Sequence, residues 1–559
     1  MAHEPVVANS PAEALQSAGA EIRSEASGLP ARSMVRLLSG DFFGIEGRPV
    51  EVQVDVSDRG TPGFSIVGLV GKSIRESRER IRSAIANSGF EFPFKARILV
   101  NLAPAAQEKQ GSGFDLAIAL GILLASRQSP GKERCFSDDG LVRGVGFVGE
   151  LGLQGELRRV PGVLLVGHTL RRTRGVERMV VPRENASEAA LVEGIEVAPA
   201  ADLHEALGSL DVGLPIPGRL AHDPRNCSRD SSGTVSRTIE EQLDFIDVRG
   251  QEATKRGLAV AAAGGHNVLL CGPPGAGKTM LARRLPGILP PMDFQEAMDV
   301  TGILSVLGHE IRDRLFEARP FRAPHHTISY AGLVGGGSRL RPGEVTRAHR
   351  GVLFLDELPE FHRQALEALR EPLEEGHISI SRSSGCVQFP ARFLLVGAMN
   401  PCPCGYLGHG KRLCSCSTSE VKSYRQRISG PLLDRIDLHI TVSAVDPSEL
   451  VAIASSRGPN LLSTRALREG VTTARNIAAD RWGGNLLNAT IPFARLLNGG
   501  TVRQAAFARL HRCAERLNLS ARGLTRCLRV ARTVADMERS LMVEVEHVEE
   551  ALLFREIGW

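Results

Sequence analysis

The segment Asn267-Val-Leu-Leu-Cys-Gly-Pro-Pro-Gly-Ala-Gly-Lys-Thr279 constrains this chain more than any other. Its apolar start, Val268 to Cys271, reads as a buried strand. The strand runs into Gly272-Pro273-Pro274-Gly275-Ala276-Gly277-Lys278-Thr279, and a helix-like Leu281-Ala-Arg-Arg-Leu285 follows. Strand, Gly-rich loop, Lys-Thr and helix in that order make a phosphate cradle. Glycines let backbone N–H groups wrap phosphate oxygens, Lys278 reaches β- and γ-oxygens, and the Thr279 hydroxyl ligates Mg2+. ATP with Mg2+ is therefore expected. A Gly-rich loop alone can be a mere turn; the ordered set argues against that.

Four further segments complete the chemistry. Val352-Leu-Phe-Leu-Asp356-Glu357 is an apolar strand ending in two carboxylates. Asp356 would hold the Mg2+ shell, and Glu357 would orient or deprotonate an attacking water. Phe393-Leu-Leu-Val-Gly-Ala-Met399 is another buried strand, tipped by Asn400. Ligands of open α/β sheets collect at such carboxyl ends, where an amide can position water or sense the γ-phosphate. In Ser429-Gly-Pro-Leu-Leu-Asp-Arg435-Ile-Asp437, Arg435 would reach a neighbouring subunit's γ-phosphate if the chain forms a ring. Leu519-Ser-Ala-Arg522-Gly opens a helix carrying Leu524, Leu528 and Ala531 on one face, and Arg522 is a candidate nucleotide contact from a lid. A plain basic helix face is the competing reading of Arg522.

At 559 residues the chain has room for roughly three or four domains. Residues 1–33 read as a flexible tail, and 34–211 as a mixed domain. Within it Val50 to Val56 alternates like a half-buried strand, and 73–88 has the spacing of an amphipathic helix. Residues 212–237, rich in Pro, Gly, Ser and charge, read as a linker. An α/β core over 238–445 and a helical tail over 446–559 follow. The longest apolar run, Leu116 to Ala125, is too short to cross a bilayer, and residues 1–30 show no apolar core of the kind a secretory signal needs. A cytoplasmic protein with reduced thiols and no membrane partner is expected. The net charge of +5 makes no global case for a polyanion, and 4% aromatics leave few base-stacking platforms.

With these elements in order, the chain resembles an AAA+ ATPase, and within that class the magnesium-chelatase-like branch that contains ComM (also called YifB). The residues that carry the likeness are Gly264-Gly-His-Asn-Val-Leu-Leu-Cys-Gly-Pro-Pro-Gly275, Arg319-Pro-Phe-Arg-Ala-Pro-His-His-Thr327 and Ala348-His-Arg-Gly-Val-Leu-Phe-Leu-Asp-Glu-Leu-Pro-Glu-Phe361. They continue through Asn400-Pro-Cys-Pro-Cys-Gly405, Leu519-Ser-Ala-Arg-Gly523 and Arg529-Val-Ala-Arg-Thr-Val-Ala-Asp536. The resemblance covers about 34–559. It implies an α/β fold: an AAA+ P-loop core with a parallel sheet and inserts, a C-terminal helical lid, and an N-terminal Lon-like (S5-type) α+β domain. The family's helix-2 insert would occupy HHTISYAGLVGGGSRLRPGE. Residues 376–389 alternate around a Ser-Ser-Gly turn and read independently as a hairpin, matching the family's pre-sensor hairpin. Near its tip Arg382 is a candidate phosphate contact, or an ordinary solvated turn residue.

The Lon-like reading rests on Asn101-Leu-Ala-Pro-Ala-Ala-Gln-Glu-Lys-Gln-Gly-Ser-Gly-Phe-Asp-Leu116 and Gly149-Glu-Leu-Gly-Leu-Gln-Gly-Glu-Leu157. A Ser–Lys peptidase needs a hydroxyl and a lysine base within reach of each other. Gly113 stands at the nucleophile position and Leu164 at the lysine position, with Ser112 one residue off. An inactive peptidase fold serving as a binding or ring-stabilising module is expected.

The ComM resemblance implies a homohexameric ring that threads single-stranded or branched DNA and drives branch migration during natural transformation. Residues 501–535, with eight Arg against Glu515 alone among acids, and Lys411-Arg412 are candidate phosphate contacts. A metal-chelatase motor subunit and a protein-remodelling ring are the alternatives. Finally, Cys402, Cys404, Cys414 and Cys416 form two Cys-x-Cys pairs around a short basic loop. Four soft thiolates suit tetrahedral Zn2+, although the one-residue spacing is unusual. Free or redox-active thiols are the other reading.

Overall fold

The computed structural model describes residues 33–69, 71–105, 108–109, 111–128, 140–210, 243–312, 314–337, 340–382, 385–409, 412–444, 462–484, 486–517 and 519–555. The expected linker, all of the expected tail but Ser33, and Lys411 lie outside the described residues. Two compact units divide the chain, Met1–Ser228 with Gly308–Arg314 and Arg229–Leu307 with Leu315–Trp559.

In the first unit, β1 (Ser33–Phe43) turns back through Gly44, at φ 69°, into antiparallel β2 (Glu46–Ser57). Alternation along β2 buries Val50, Val52, Val54 and Val56, each worth roughly 1.5–3 kcal/mol. The strands β3 (Gly63–Val67), β4 (Arg97–Ala103), β5 (Leu141–Phe147), β6 (Arg178–Pro182) and β7 (Glu196–Ala200) complete a seven-stranded sheet in the order β3-β4-β2-β1-β5-β6-β7. The amphipathic helix read over 73–88 forms as α1 (Lys72–Asn87), burying Ile74, Ile81 and Ile85. The apolar run becomes α2 (Asp115–Ala125), buried at every position. It lies so close to the sheet that a Cβ on Gly121 would fall 2.5 Å from Val54 Cγ2. A third helix, α3 (Val163–Arg174), ends at Gly175 in the left-handed region.

The second unit is built on α4 (Glu252–Gly264) and five parallel strands: β8 (Val268–Cys271), β9 (Phe321–Arg322), β10 (Val352–Leu355), β13 (Leu394–Met399) and β14 (Leu438–Thr441). Their order is β9-β10-β13-β8-β14. Every residue of β8, β10 and β13 is buried, as expected of a parallel sheet covered on both faces. Between β10 and β13 stands the expected hairpin, β11 (His377–Arg382) paired with β12 (Gly385–Pro390). The 325–344 segment carries a short helix (Tyr330–Val334) and a two-residue strand pair, Gly335–Gly336 with Arg341–Pro342.

The C-terminal part is helical, as expected. Its long members are α8 (Thr464–Trp482), α9 (Gln504–Arg516), α10 (Ala521–Met537) and α11 (Val545–Leu553); α6 (Phe294–Val306) precedes β9, and α5 and α7 are introduced below. Arg532 is fully buried against Asp536 at 2.9 Å, and Asp536 also receives Arg481 at 2.6 Å. Most arginines of 501–535 have partners within the fold: Arg503 and Arg509 make exposed pairs with Glu544 and Glu549, Arg526 pairs with buried Asp437, and Arg529 donates to the Ile491 carbonyl. The basic look of this stretch thus comes largely from acids placed elsewhere in the sequence. No described helix is long and apolar enough to cross a membrane.

Candidate nucleotide site

Strand register assembles the site. β8 and β13 pair in parallel with Cys271 opposite Met399, and β10 pairs with β13 with Leu355 opposite Gly397. The three strands therefore deliver Gly272, Asn400 and Asp356 to the carboxyl end of the sheet. Gly272 N donates to Met399 O at 3.2 Å, closing the start of the loop onto its neighbour. A Cβ on Gly272 would sit 2.2 Å from Val442 O, so this position has no space for a side chain. Gly275 and Gly277 adopt φ 77° and 87°, the left-handed region that glycine enters without strain. They turn the chain into α5 (Lys278–Ile288), whose first free N–H groups and positive dipole end suit an anion.

Lys278 is 9% exposed, and its ammonium spends its three donors on Gly272 O (2.6 Å), Pro273 O (3.0 Å) and Asn400 Oδ1 (3.0 Å). Burial pushes its pKa down, opposed chiefly by Asp356. Thr279 Oγ1 donates to Asp356 Oδ2 at 2.7 Å. Two hard oxygen donors thus converge where Mg2+, which keeps most of its waters, needs only one or two protein ligands. The open space over Gly275 and Gly277 fits a phosphate chain, so loop and acids together suit the Mg2+–nucleotide pair. Glu357 sits at φ 53°, a strained conformation for a non-glycine residue, with its N–H on Asp356 Oδ1 at 3.0 Å. His326 Nδ1 lies 3.4 Å from Glu357 Oε2. A cavity of about 390 Å³ is lined by Pro274 to Met280, Asp356, Glu357, Met399 and Asn400. Tyr424, on α7 (Thr418–Arg425), bonds the backbone of Asn400 from behind; burial pushes its hydroxyl up to about 12.

Arg435 and Arg522 are not brought to this cavity. Arg435 is 5% exposed, donates to Pro431 O at 2.6 Å and pairs with Glu374. Arg522 stands exposed at the start of α10, on a separate cavity of about 750 Å³ that Glu374, Asp437, Arg526 and Arg529 also line. Asp437 is a residue that sequence reasoning did not single out. It takes His266 Nδ1 at 3.1 Å and Arg526 Nη1 at 2.6 Å. Burial disfavours its charge, but His266 and Arg526 outweigh this and hold it at about 2. Asn267 works beside it, accepting from Leu395 N at 3.0 Å and donating to Arg435 O at 3.1 Å. Of these, only His266 and Asn267 had a signal, their place directly before the phosphate-loop strand.

Arg382 closes the hairpin, opposite Gly385. Beyond Asn400, the four cysteine Sγ atoms gather within 4.8 Å of one another. Cys404 is held down at about 5, first by N–H groups of Tyr406 and Ser415, while Cys416 is pushed up to about 12 among its neighbours. Arg412 is exposed, donating to the Tyr406 hydroxyl at 2.8 Å with its guanidinium 5.1 Å from that ring's centroid. In the first unit, Ser112 Oγ donates to the Glu150 carboxylate, Gly113 lies just before α2, and Leu164 is buried in α3. Lys109 Nζ is spent on Gly68 O and Pro104 O.

Three family models match in succession: "Subunit ChlI of Mg-chelatase" over 50–185, "Magnesium chelatase, subunit ChlI" over 244–450, and "Magnesium chelatase, subunit ChlI C-terminal" over 462–555. The chain is 39% identical over 526 residues to the competence protein ComM of Haemophilus influenzae, covering 94% of this chain and 97% of that one. It is 39% identical over 516 residues to YifB of Escherichia coli, covering 92% and 96%. The magnesium-chelatase 67 kDa subunit of Heliobacterium mobile matches at 29% over 196 residues, 30% of this chain and 29% of that subunit. By its sheet order, its nucleotide site and this full-length likeness, the chain belongs to the ComM/YifB family of magnesium-chelatase-like AAA+ proteins.

Proposed function

We propose that this protein is a cytoplasmic ATP-driven DNA motor, a ring of identical subunits, six by family resemblance, that promotes branch migration as transforming DNA is integrated. The observation that carries the ATPase part is the strand register that levels Cys271 with Met399. It places Lys278, Thr279, Asp356, Glu357 and Asn400 around one cavity. Lys278 exchanges its carbonyl partners for phosphate oxygens. Thr279 and Asp356 hold Mg2+, which supplies positive charge against the phosphates when bound. In hydrolysis a water oxygen bonds the γ-phosphorus as the bond to the β–γ bridging oxygen breaks. Glu357 orients that water and takes its proton, and Asn400 fixes the Lys278 ammonium and the water's position.

The ring is supported by what the cavity lacks. Arg522, the candidate lid contact, is exposed and lines a different cavity; in this reading the nucleotide it meets is one held by a neighbouring subunit. Arg435, paired with Glu374 on that same side, needs to release this carboxylate to act as a finger toward the neighbour.

DNA as the substrate is supported by the likeness to a protein named for competence over nearly the whole chain. The hairpin tip at Arg382, with Lys411 and exposed Arg412, supplies candidate phosphate contacts. The first unit acts as a ring-stabilising or binding module and not as a peptidase; Ser112 bonds a carboxylate and the position of the expected lysine is Leu164. A chelatase motor is the second reading, favoured by the printed names of the family models. The short overlap with the chelatase 67 kDa subunit weighs against it. ATPase assays with forked DNA, with a metalloporphyrin precursor and with unfolded protein separate the readings: stimulation by DNA alone is expected.

A further inference from the structure

The loop between Asn400 and α7 supplies no residue to the ATP hydrolysis above, yet it is built around four thiols. Cys402 and Cys404 follow β13; Cys414 and Cys416 precede α7, whose Ser417–Glu420 capping box fixes the second pair at the helix start. Cys402 Sγ lies 3.4 Å from Cys404 Sγ and 3.6 Å from Cys414 Sγ, and Cys404 Sγ lies 3.6 Å from Cys414 Sγ. All four sulfurs fall within 4.8 Å of one another. A tetrahedron with metal–sulfur bonds of about 2.3 Å has edges of about 3.8 Å, inside this spread. The four are free thiols, and no pair approaches the roughly 2.05 Å of a disulfide.

The surroundings are those of a thiolate cage. Leu407 N donates to Cys402 Sγ and Cys404 N to Cys416 Sγ, each at 3.4 Å, which orients the sulfurs and stabilises negative charge on them. Cys402 is fully buried and the other three are half-buried. An all-sulfur donor set rejects Mg2+ and Ca2+ and selects a thiophilic cation; four-coordinate closure without an open position marks a structural site.

The same loop is docked on the phosphate loop. Gly405 turns at φ 84°, and a Cβ there would lie 2.6 Å from Pro274 Cδ. Arg425, at the end of α7, donates to Pro401 O at 3.4 Å. The cage thus ties the segment leaving Asn400 both to α7 and to the roof of the nucleotide cavity.

We propose that Cys402, Cys404, Cys414 and Cys416 bind one Zn2+, and that this ion holds Asn400 and Pro274 in the geometry that nucleotide binding requires. The metal arm stands on the cysteine geometry alone; the coupling arm rests on the nucleotide-site reading given above.

The test uses the purified full-length protein. Elemental analysis is expected to find zinc equimolar with the chain, and Co2+ exchange to give the intense visible bands of tetrahedral tetrathiolate cobalt. Cys402→Ser and Cys414→Ser are expected to lose the metal, while Cys386→Ser, in the hairpin, keeps it. Absence of zinc, together with no cobalt bands on reconstitution, overturns the site. For the coupling, Gly405→Ala keeps all four thiols but crowds Pro274. It is expected to retain zinc and the cobalt spectrum while weakening binding of a fluorescent ATP analogue tenfold or more. Chelation followed by zinc return is expected to abolish and restore that binding. Unchanged nucleotide affinity in the metal-free, still folded protein overturns the coupling. A zinc-loaded native protein that binds no nucleotide would instead refute the nucleotide-site reading, leaving the metal site intact.

Discussion

Lys278 Nζ donates to Asn400 Oδ1 at 3.0 Å, joining the phosphate-loop lysine to the tip of β13. Neither residue is near the other in sequence, and parallel pairing of β8 with β13 alone brings them together. Asn400→Ala is therefore expected to bind ATP within a few-fold of the native protein but to hydrolyse it about a hundredfold more slowly, the scale of losing one positioned polar group at a reacting centre. Nucleotide titration alongside phosphate-release kinetics checks the split.

Lys278→Ala and Glu357→Gln are expected to part company in the same assays. The first removes the cation that meets the phosphates, so binding and turnover both fall. The second keeps the cradle and removes only the base, so ATP stays bound without turnover. Full hydrolysis by either variant would refute the site assignment.

Arg435→Ala and Arg522→Ala are expected to bind nucleotide normally and to lose hydrolysis in the assembled ring. Mixed with Lys278→Ala subunits, each is expected to recover part of the activity, because an intact arginine then faces an intact cradle across some interfaces. Mixtures as inactive as their components would argue against action between subunits.

Asp437→Asn tests the buried brace between β14, His266 and α10. Removing the charge leaves Arg526 without its counter-ion, and a loss of roughly 3–5 kcal/mol in stability is expected. The folded carboxyl titrates at about 2, below its ordinary 3.8. Its contribution is therefore complete above about pH 4 and disappears as pH falls toward 2. Denaturant melts of both proteins across that window are expected to converge at the acid end.

Much of this site was legible because its chemistry is local in sequence. The phosphate loop, Asp356 and Glu357 announce themselves by adjacency, and the hairpin by alternation around its turn. What stayed hidden depends on long-range pairing. The two-residue strand β9 is too short to leave a periodic signal, yet it leads into His326, which faces Glu357. Arg435 reads as a free finger until Glu374, on a separate helix, is seen to hold it. The arginines of 501–535 read as a basic face, but Glu544, Glu549, Asp536 and Asp437 neutralise half of them. Asp437 carries no sequence signal of its own and is 3% exposed.

The measurement closest to the central claim follows a labelled four-way or forked DNA junction with the purified ring, ATP and Mg2+, beside Glu357→Gln as the matched control. The account predicts ATP-dependent strand exchange by the native ring, DNA-stimulated ATP hydrolysis, and binding without movement by the variant. A ring that hydrolyses ATP at an undiminished, DNA-independent rate and neither binds nor moves any junction would contradict it.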